Sequence, residues 1–349
     1  MKHTDIFHFA PDFERAMEYF QAQDNYSVSP LLELQGPGGY SFWAKDETGR
    51  MGLGAFKALG APYAIARLLQ AEWIERTGEA LTPARMDDAD VQAFASERTF
   101  VCASAGNHGL GIAAGAQAMG AKARIHLART VPRNFADRLR AFDADVVWSG
   151  AVYEESVGTA IADADTTGAI LLADGTWPGY TEIPKFVMEG YCVMAEELRL
   201  AFEASGSWPT HVYLQAGVGG LAAALSHMIR LNWAEQPALI VVEPEAAACL
   251  KSSHHNGMPT RSDGPESSMG RLDCKEPSIV AWHVLERCGV SYETLSEEEG
   301  AAASDALQDM GVATTPSGAA GFGALLKQHP EFTPGKDFRP LVIISEGPA

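Results

Sequence analysis

Three short runs constrain this chain most: HVYLQAG at 211–217, ALIVVEP at 238–244 and RPLVIIS at 339–345. Each is rich in β-branched and aliphatic residues, with none of the polar alternation of a strand that has one wet face. Such runs are strands buried on both faces, the mark of parallel sheet covered by helices. Parallel neighbours need long crossovers, and helical patterns lie between the runs, at 183–206 for example, where Pro184 marks a start. Further strands are read in YSFWAKDE, TFVCAS, AKARIHLA, AFDADVVWS and AILLAD, and helices in 56–78 and around 153–166. The chain is therefore read as α/β, built from βαβ units.

At 349 residues, two domains are expected. No linker separates them, so one is taken as an insertion in the other: 1–65 with 190–349 forming a large domain, and 66–189 a small α/β domain. The polar stretch 251–276 reads as a mobile loop, and 87–90 as a solvated loop or helix start. The net charge of −19 argues against nucleic acid and against acidic membrane surfaces, since both are held by Lys and Arg. Five widely spaced cysteines without a CxxC pair read as reduced thiols of a cytoplasmic protein. No metal set is recognisable, and His254 and His255 read as solvated. Neither a signal-peptide core nor a membrane-spanning run is found.

Three glycine-bearing loops each follow an expected strand and precede an expected helix, the end at which open α/β sheets bind ligands. They are Gly52–Lys57, Ser104–Gly109 and Gly217–Leu221. In the last, glycines can turn backbone N–H groups inward, and the following helix start favours an anion. No Lys or Arg occurs in Val212–Ile229, so a phosphate there would be held by backbone dipoles. A glycine turn for tight strand–helix packing is the other reading. Lys57 is either a snorkelling lysine or a desolvated amine of lowered pKa, able to form an imine with an aldehyde. Asp174, in ADGTWPGYT, is either a turn aspartate or a site carboxylate.

The order Lys57, then S-x-G-N-H-G, then G-V-G-G-L resembles the fold-type-II pyridoxal-phosphate enzymes. More narrowly, RMGLGAFKALGAPYAIA, AGNHG, ADGTWPGYTEIP, THVYLQAGVGG, IVVEPEAAAC and VIISEG resemble the diaminopropionate ammonia-lyase family from Ser29 onward. The resemblance implies a tryptophan-synthase-β-like fold: two open, mostly parallel sheets flanked by helices, with the active site between domains. It implies pyridoxal 5'-phosphate as cofactor and Lys57 as the residue forming the internal aldimine. Asn107 would bond the ring's phenolic oxygen, and Gly217, Val218, Gly219, Gly220 and Leu221 would cradle the phosphate. Ser345 would face the pyridine nitrogen. Ser104, Ala105 and Gly106 would meet the substrate carboxylate, Asp174 its distal ammonium, and Tyr180 the same site. A homodimer is the oligomeric state expected.

Two departures stand out. Ala105 occupies the position where these ammonia-lyases carry an acid/base aspartate, and SAGNHG is similar to serine and threonine dehydratases. The chain also ends three residues past Glu346, where the family continues, so a C-terminal lid is expected to be absent or differently built.

The expected activity is β-elimination from a small amino acid, 2,3-diaminopropionate favoured, through aminoacrylate to a 2-oxo acid and ammonia. A serine, threonine or 3-hydroxy amino acid dehydratase or racemase is the near alternative. An NADP-dependent oxidoreductase is the distant one, from Gly109-x-Gly111-x-x-Ala114 with Arg129. His108 reads as loop support and Cys102 as a small buried hydrophobe.

Overall fold

The computed structural model describes residues 7–37, 39–328 and 337–348. Among them, six strands form one sheet and four another. The strands are β1 (Leu31–Gln35), β2 (Ser41–Asp46), β3 (Thr99–Ala103), β4 (Lys122–Leu127), β5 (Asp145–Trp148), β6 (Ile170–Leu171), β7 (His211–Gln215), β8 (Ala238–Pro244), β9 (Ser291–Leu295) and β10 (Pro340–Ile344). The larger sheet runs β1-β2-β10-β7-β8-β9 and the smaller β5-β4-β3-β6. Every pairing is parallel except β1 with β2. This is the α/β architecture of the fold-type-II enzymes. The last strand, β10, lies centrally between β2 and β7, and all five of its residues are buried, as its unbroken apolar run requires.

The helix read over 56–78 is divided. Phe56–Leu59 is a 3-10 turn, and the α-helix begins at Ala61 and runs to Thr77. The break falls at Gly60, where a Cβ would stand 2.6 Å from the Tyr191 ring. Pro62 sits in the new helix's first turn, where its missing N–H costs nothing. Two glycines of helix Asn107–Ala118 bring that helix against the same region. A Cβ on Gly111 would meet the Lys57 carbonyl oxygen at 3.0 Å, and one on Gly115 would meet Pro62 Cα at 2.8 Å.

The stretch read as a mobile loop is ordered. Cys249–Asn256 is a helix, ended by Gly257 at φ 67°. Beyond it, Lys275 Nζ donates to the carbonyls of Ala246 (2.8 Å) and Pro265 (2.7 Å) and pairs with Asp273. Ser267 and Ser268 reach Glu297. The acidic run at 297–299 opens helix Glu297–Asp309 behind a Ser296/Glu299 capping box, where the helix dipole favours carboxylates. Elements absent from the sequence reading include β1, β9 and the helices Phe13–Gln21, Arg133–Arg140, Ile279–Cys288, Glu297–Asp309 and Pro316–Gln328.

Candidate active site

Loops leaving β2, β3, β6, β7 and β10 converge at the carboxyl ends of their strands. The Lys57 turn is fastened to the end of β10: the Phe56 N–H donates to the Ser345 carbonyl (3.0 Å), Ala55 bridges Glu346, and the Gly347 N–H donates to Gly54 (2.9 Å). Lys57 Nζ lies 2.5 Å from Asp174 Oδ2, with 20% and 26% of the two side chains exposed. The Phe56 and Tyr191 rings flank the ammonium, with centroids 5.2 and 5.7 Å away.

The electrostatics correct one expectation. Burial opposes the charge on Lys57, but Asp174, and then Tyr191, outweigh it and hold the amine above its ordinary range instead of below it. Burial likewise works against the Asp174 carboxylate, yet Lys57 and His108 hold it below the usual carboxylate range.

The loop carrying Asp174 is fixed from several sides. The Leu172 N–H donates to Val101, and the Leu172 carbonyl faces His108 Nε2 at 2.9 Å. Burial lowers the His108 pKa. The Tyr180 hydroxyl donates to the Leu171 carbonyl (2.8 Å) and accepts from the Ala173 N–H (3.0 Å), with its ring stacked on Trp177. Thr176 is paired with Ser278 (2.8 Å), whose N–H reaches the Val218 carbonyl. The backbone of Asp174 is thereby set beside the glycine loop, its carbonyl oxygen 3.9 Å from where a Cβ on Gly220 would stand.

In that loop, Gly219 adopts φ 100°, and a Cβ on it would meet Leu250 at 3.0 Å. A Cβ on Gly217 would meet Cys274 Sγ at 2.8 Å. The N–H groups of Gly217, Gly219, Gly220 and Leu221 donate to no protein acceptor among the described residues. Four idle donors at the start of helix Gly220–Asn232 suit an anion.

In the Ser104–Asn107 loop, the Ser104 hydroxyl accepts from the N–H groups of Gly106 (3.3 Å) and Gly109 (3.1 Å). The Ala105 carbonyl accepts from Arg271 Nη1 at 3.1 Å. Asn107 Nδ2 donates to Glu346 Oε2, and Thr315 Oγ1 donates to Glu346 Oε1 at 2.5 Å. Burial raises the Glu346 pKa. Ser345 is buried, and its backbone bonds Gly318 and Phe56.

Lys57, Asp174, Asn107, Ser345 and the glycine loop thus gather around one cleft, while the Tyr180 hydroxyl is spent on its own loop. The sequence reading missed Glu346, Thr315, Arg271 and Tyr191. Glu346 adjoins Ser345 in VIISEG and could have been suspected; Tyr191 lies inside a long helix with nothing to set it apart.

The family model described as pyridoxal-phosphate dependent enzyme matches residues 22–346. The chain is 34% identical to the diaminopropionate ammonia-lyase of Salmonella typhimurium over 317 residues, 86% of this chain and 78% of that one. It is similar to the crystal structure of Escherichia coli diaminopropionate ammonia lyase in complex with an aminoacrylate-PLP azomethine reaction intermediate (TM-score 0.82, 27% identity, covering 98% and 92% of the chains). The same enzyme in complex with D-serine superposes with a TM-score of 0.84 at 28% identity, with the same coverage. The match to the family model spans nearly the whole chain and includes every loop of the cleft, and the chain belongs to the pyridoxal-phosphate dependent enzymes.

Proposed function

We propose that this enzyme removes the β-amino group of 2,3-diaminopropionate, giving a 2-oxo acid and ammonia. The observation that carries the reading is the Lys57–Asp174 pair, an amine and a carboxylate at 2.5 Å inside a cleft with an anion cradle. We read the cleft as lying between a large part, 1–65 with 190–349, and a small inserted part, 66–189. The working form is taken as a cytoplasmic homodimer.

The residues present fit the cofactor. The idle N–H groups of Gly217, Gly219, Gly220 and Leu221 suit its phosphate, with Val218 completing the loop. Asn107, oriented by Glu346, would serve the ring's phenolic oxygen, and Ser345 the pyridine nitrogen. When bound, pyridoxal phosphate supplies a covalent hold on the substrate amine and a sink for the electron pair left at Cα.

The chain's own residues then do the following. At the Ser104–Gly106 loop the α-carboxylate is held by the Ala105 N–H, which donates to no protein acceptor among the described residues, and by the Ser104 hydroxyl, while the Ser104 N–H is spent on the His126 carbonyl and the Gly106 N–H on Ser104 Oγ. Asp174, already a counter-ion to one ammonium, receives the β-ammonium of the substrate and keeps the leaving nitrogen protonated. That exchange takes from Lys57 the charge that raises its pKa, so the amine can accept the Cα proton. Ala105 offers no carboxylate on its side of the cleft, so removal of the proton falls to Lys57 alone and one enantiomer is favoured.

Ala105 and the SAGNHG string also support a second reading, a dehydratase of serine or threonine. The chain is 27% identical to the L-threonine dehydratase biosynthetic IlvA of Corynebacterium glutamicum over 254 residues, 55% of that protein. A panel of both enantiomers of diaminopropionate, serine and threonine, scored for 2-oxo acid, decides between them. Turnover of one diaminopropionate enantiomer supports the proposal; turnover of hydroxy amino acids alone overturns it.

A further inference from the structure

We infer that Arg271 is a specificity-determining residue whose guanidinium receives the substrate's α-carboxylate together with the Ser104–Gly106 loop. Arg271 comes from the ordered polar stretch after the helix Cys249–Asn256, and its backbone passes over the glycine loop. Its carbonyl oxygen would lie 3.3 Å from a Cβ on Gly217, and its N–H donates to Ser317 Oγ at 3.2 Å. From there the side chain crosses the cleft to the other sheet's loop. Its Cδ and Nη1 would stand 3.5 and 3.6 Å from a Cβ on Gly106, so the guanidinium lies against the backbone assigned to the carboxylate.

The bonding of this guanidinium is incomplete. It carries five N–H donors in a planar fork. Among the described residues, its side chain makes one hydrogen bond, Nη1 to the Ala105 carbonyl. Its single ionic partner, Glu346 Oε2, is 3.8 Å from Nε, beyond hydrogen-bond reach, and that oxygen already accepts from Asn107. With 34% of the Arg271 side chain exposed, the remaining donors are accessible to a further partner. A planar fork held at one corner and loosely paired suits a planar carboxylate, which it can meet with two parallel bonds. The phosphate end of the cofactor is served by other groups: the side chain leads away from Gly217 toward Gly106 and Glu346.

The inference rests on the reading of the Ser104–Gly106 loop as the carboxylate site, and its test does not depend on elimination. Holoenzymes of the wild type, Arg271→Met and Arg271→Lys are titrated with L-alanine and with L-alaninamide, following the absorbance of the bound cofactor. L-Alanine has no β-leaving group, so binding is read and not turnover. Arg271→Met is expected to weaken L-alanine by about tenfold or more and L-alaninamide by less than about twofold, with Arg271→Lys in between. Equal weakening of both ligands, or of neither, overturns the assignment. If Arg271→Met does not retain the cofactor, Arg271→Lys decides: L-alanine weakened about threefold with L-alaninamide unchanged supports it, and equal changes overturn it. A wild-type enzyme that shows this pattern but leaves diaminopropionate intact overturns the proposed substrate and keeps Arg271.

Discussion

Lys57 and Asp174 meet at 2.5 Å although 117 residues separate them, one on the turn after β2 of the larger sheet and the other on the loop after β6 of the smaller. The pair joins the two sheets at the cleft and sets the protonation of the amine that has to work there. Removing the carboxylate takes away the larger of the two groups that raise the Lys57 pKa, leaving only Tyr191 against burial, which lowers it. Asp174→Asn is therefore expected to speed cofactor uptake by the cofactor-free enzyme at neutral pH, because more of the amine is neutral. Turnover of diaminopropionate is expected to fall by about 10²-fold, as the leaving ammonium loses its partner. Stopped-flow absorbance reads the first effect and a coupled 2-oxo acid assay the second.

Gly219 tests the anion cradle. Its φ of 100° and the 3.0 Å approach of Leu250 to a built Cβ both disfavour a side chain. Gly219→Ala is expected to cost about 1–2 kcal/mol of stability from the backbone conformation. Because the idle N–H groups would turn out of line, cofactor affinity is expected to drop roughly tenfold. Equilibrium dialysis with pyridoxal phosphate and a thermal melt separate the two losses.

The turn that presents Lys57 hangs from a buried ionic cluster. Arg50 bonds Glu47 through Nε (2.7 Å) and Glu197 through Nη1 (2.8 Å), and Lys45 reaches Glu197 at 2.5 Å, all with side chains no more than 2% exposed. Breaking one member leaves a buried charge without its partner, which costs about 3–5 kcal/mol. Arg50→Met is expected to lose stability of that order in urea unfolding, far more than Arg140→Met, whose pair with Asp137 lies on the surface.

Glu243 gives a pH dependence with a defined sign. Burial raises its carboxyl to about 7, against the N–H bonds from Leu250 and Lys251, both 2.8 Å, that favour the charged form. The folded state thus binds a proton more tightly than the unfolded chain. The stability this group adds is full below the unfolded value of 4.5 and is lost as pH rises through about 7. Urea unfolding between pH 5 and 8, on the order of three units, is expected to show this decline in the wild type and a flatter profile in Glu243→Gln.

Much of this was legible in the residues. The buried parallel strands declared themselves as unbroken apolar runs, and glycine marked each loop where backbone must approach backbone or a ligand. Asp174 could be proposed as a site carboxylate, but its pairing with Lys57 could not be read, because the distance depends on how two sheets face each other. For the same reason the direction of the Lys57 pKa came out reversed: burial was visible in AFKALGA, the counter-charge was not. Arg271 and the segment around it were misjudged because polar composition suggests solvent. Here Lys275 ties that segment down through two carbonyls and Asp273. β1 and β9, at the sheet's edges, carry only partial burial and so little apolar signal.

The most direct test of the central claim is the ratio of ammonia to 2-oxo acid released from 2,3-diaminopropionate by the wild type and by Lys57→Ala. Loss of the β-amino group, followed by hydrolysis of the enamine, yields two ammonia for each 2-oxo acid. The wild type is expected to give that ratio and Lys57→Ala no product. No 2-oxo acid from either enantiomer, with serine giving one ammonia for each 2-oxo acid, would contradict the claim.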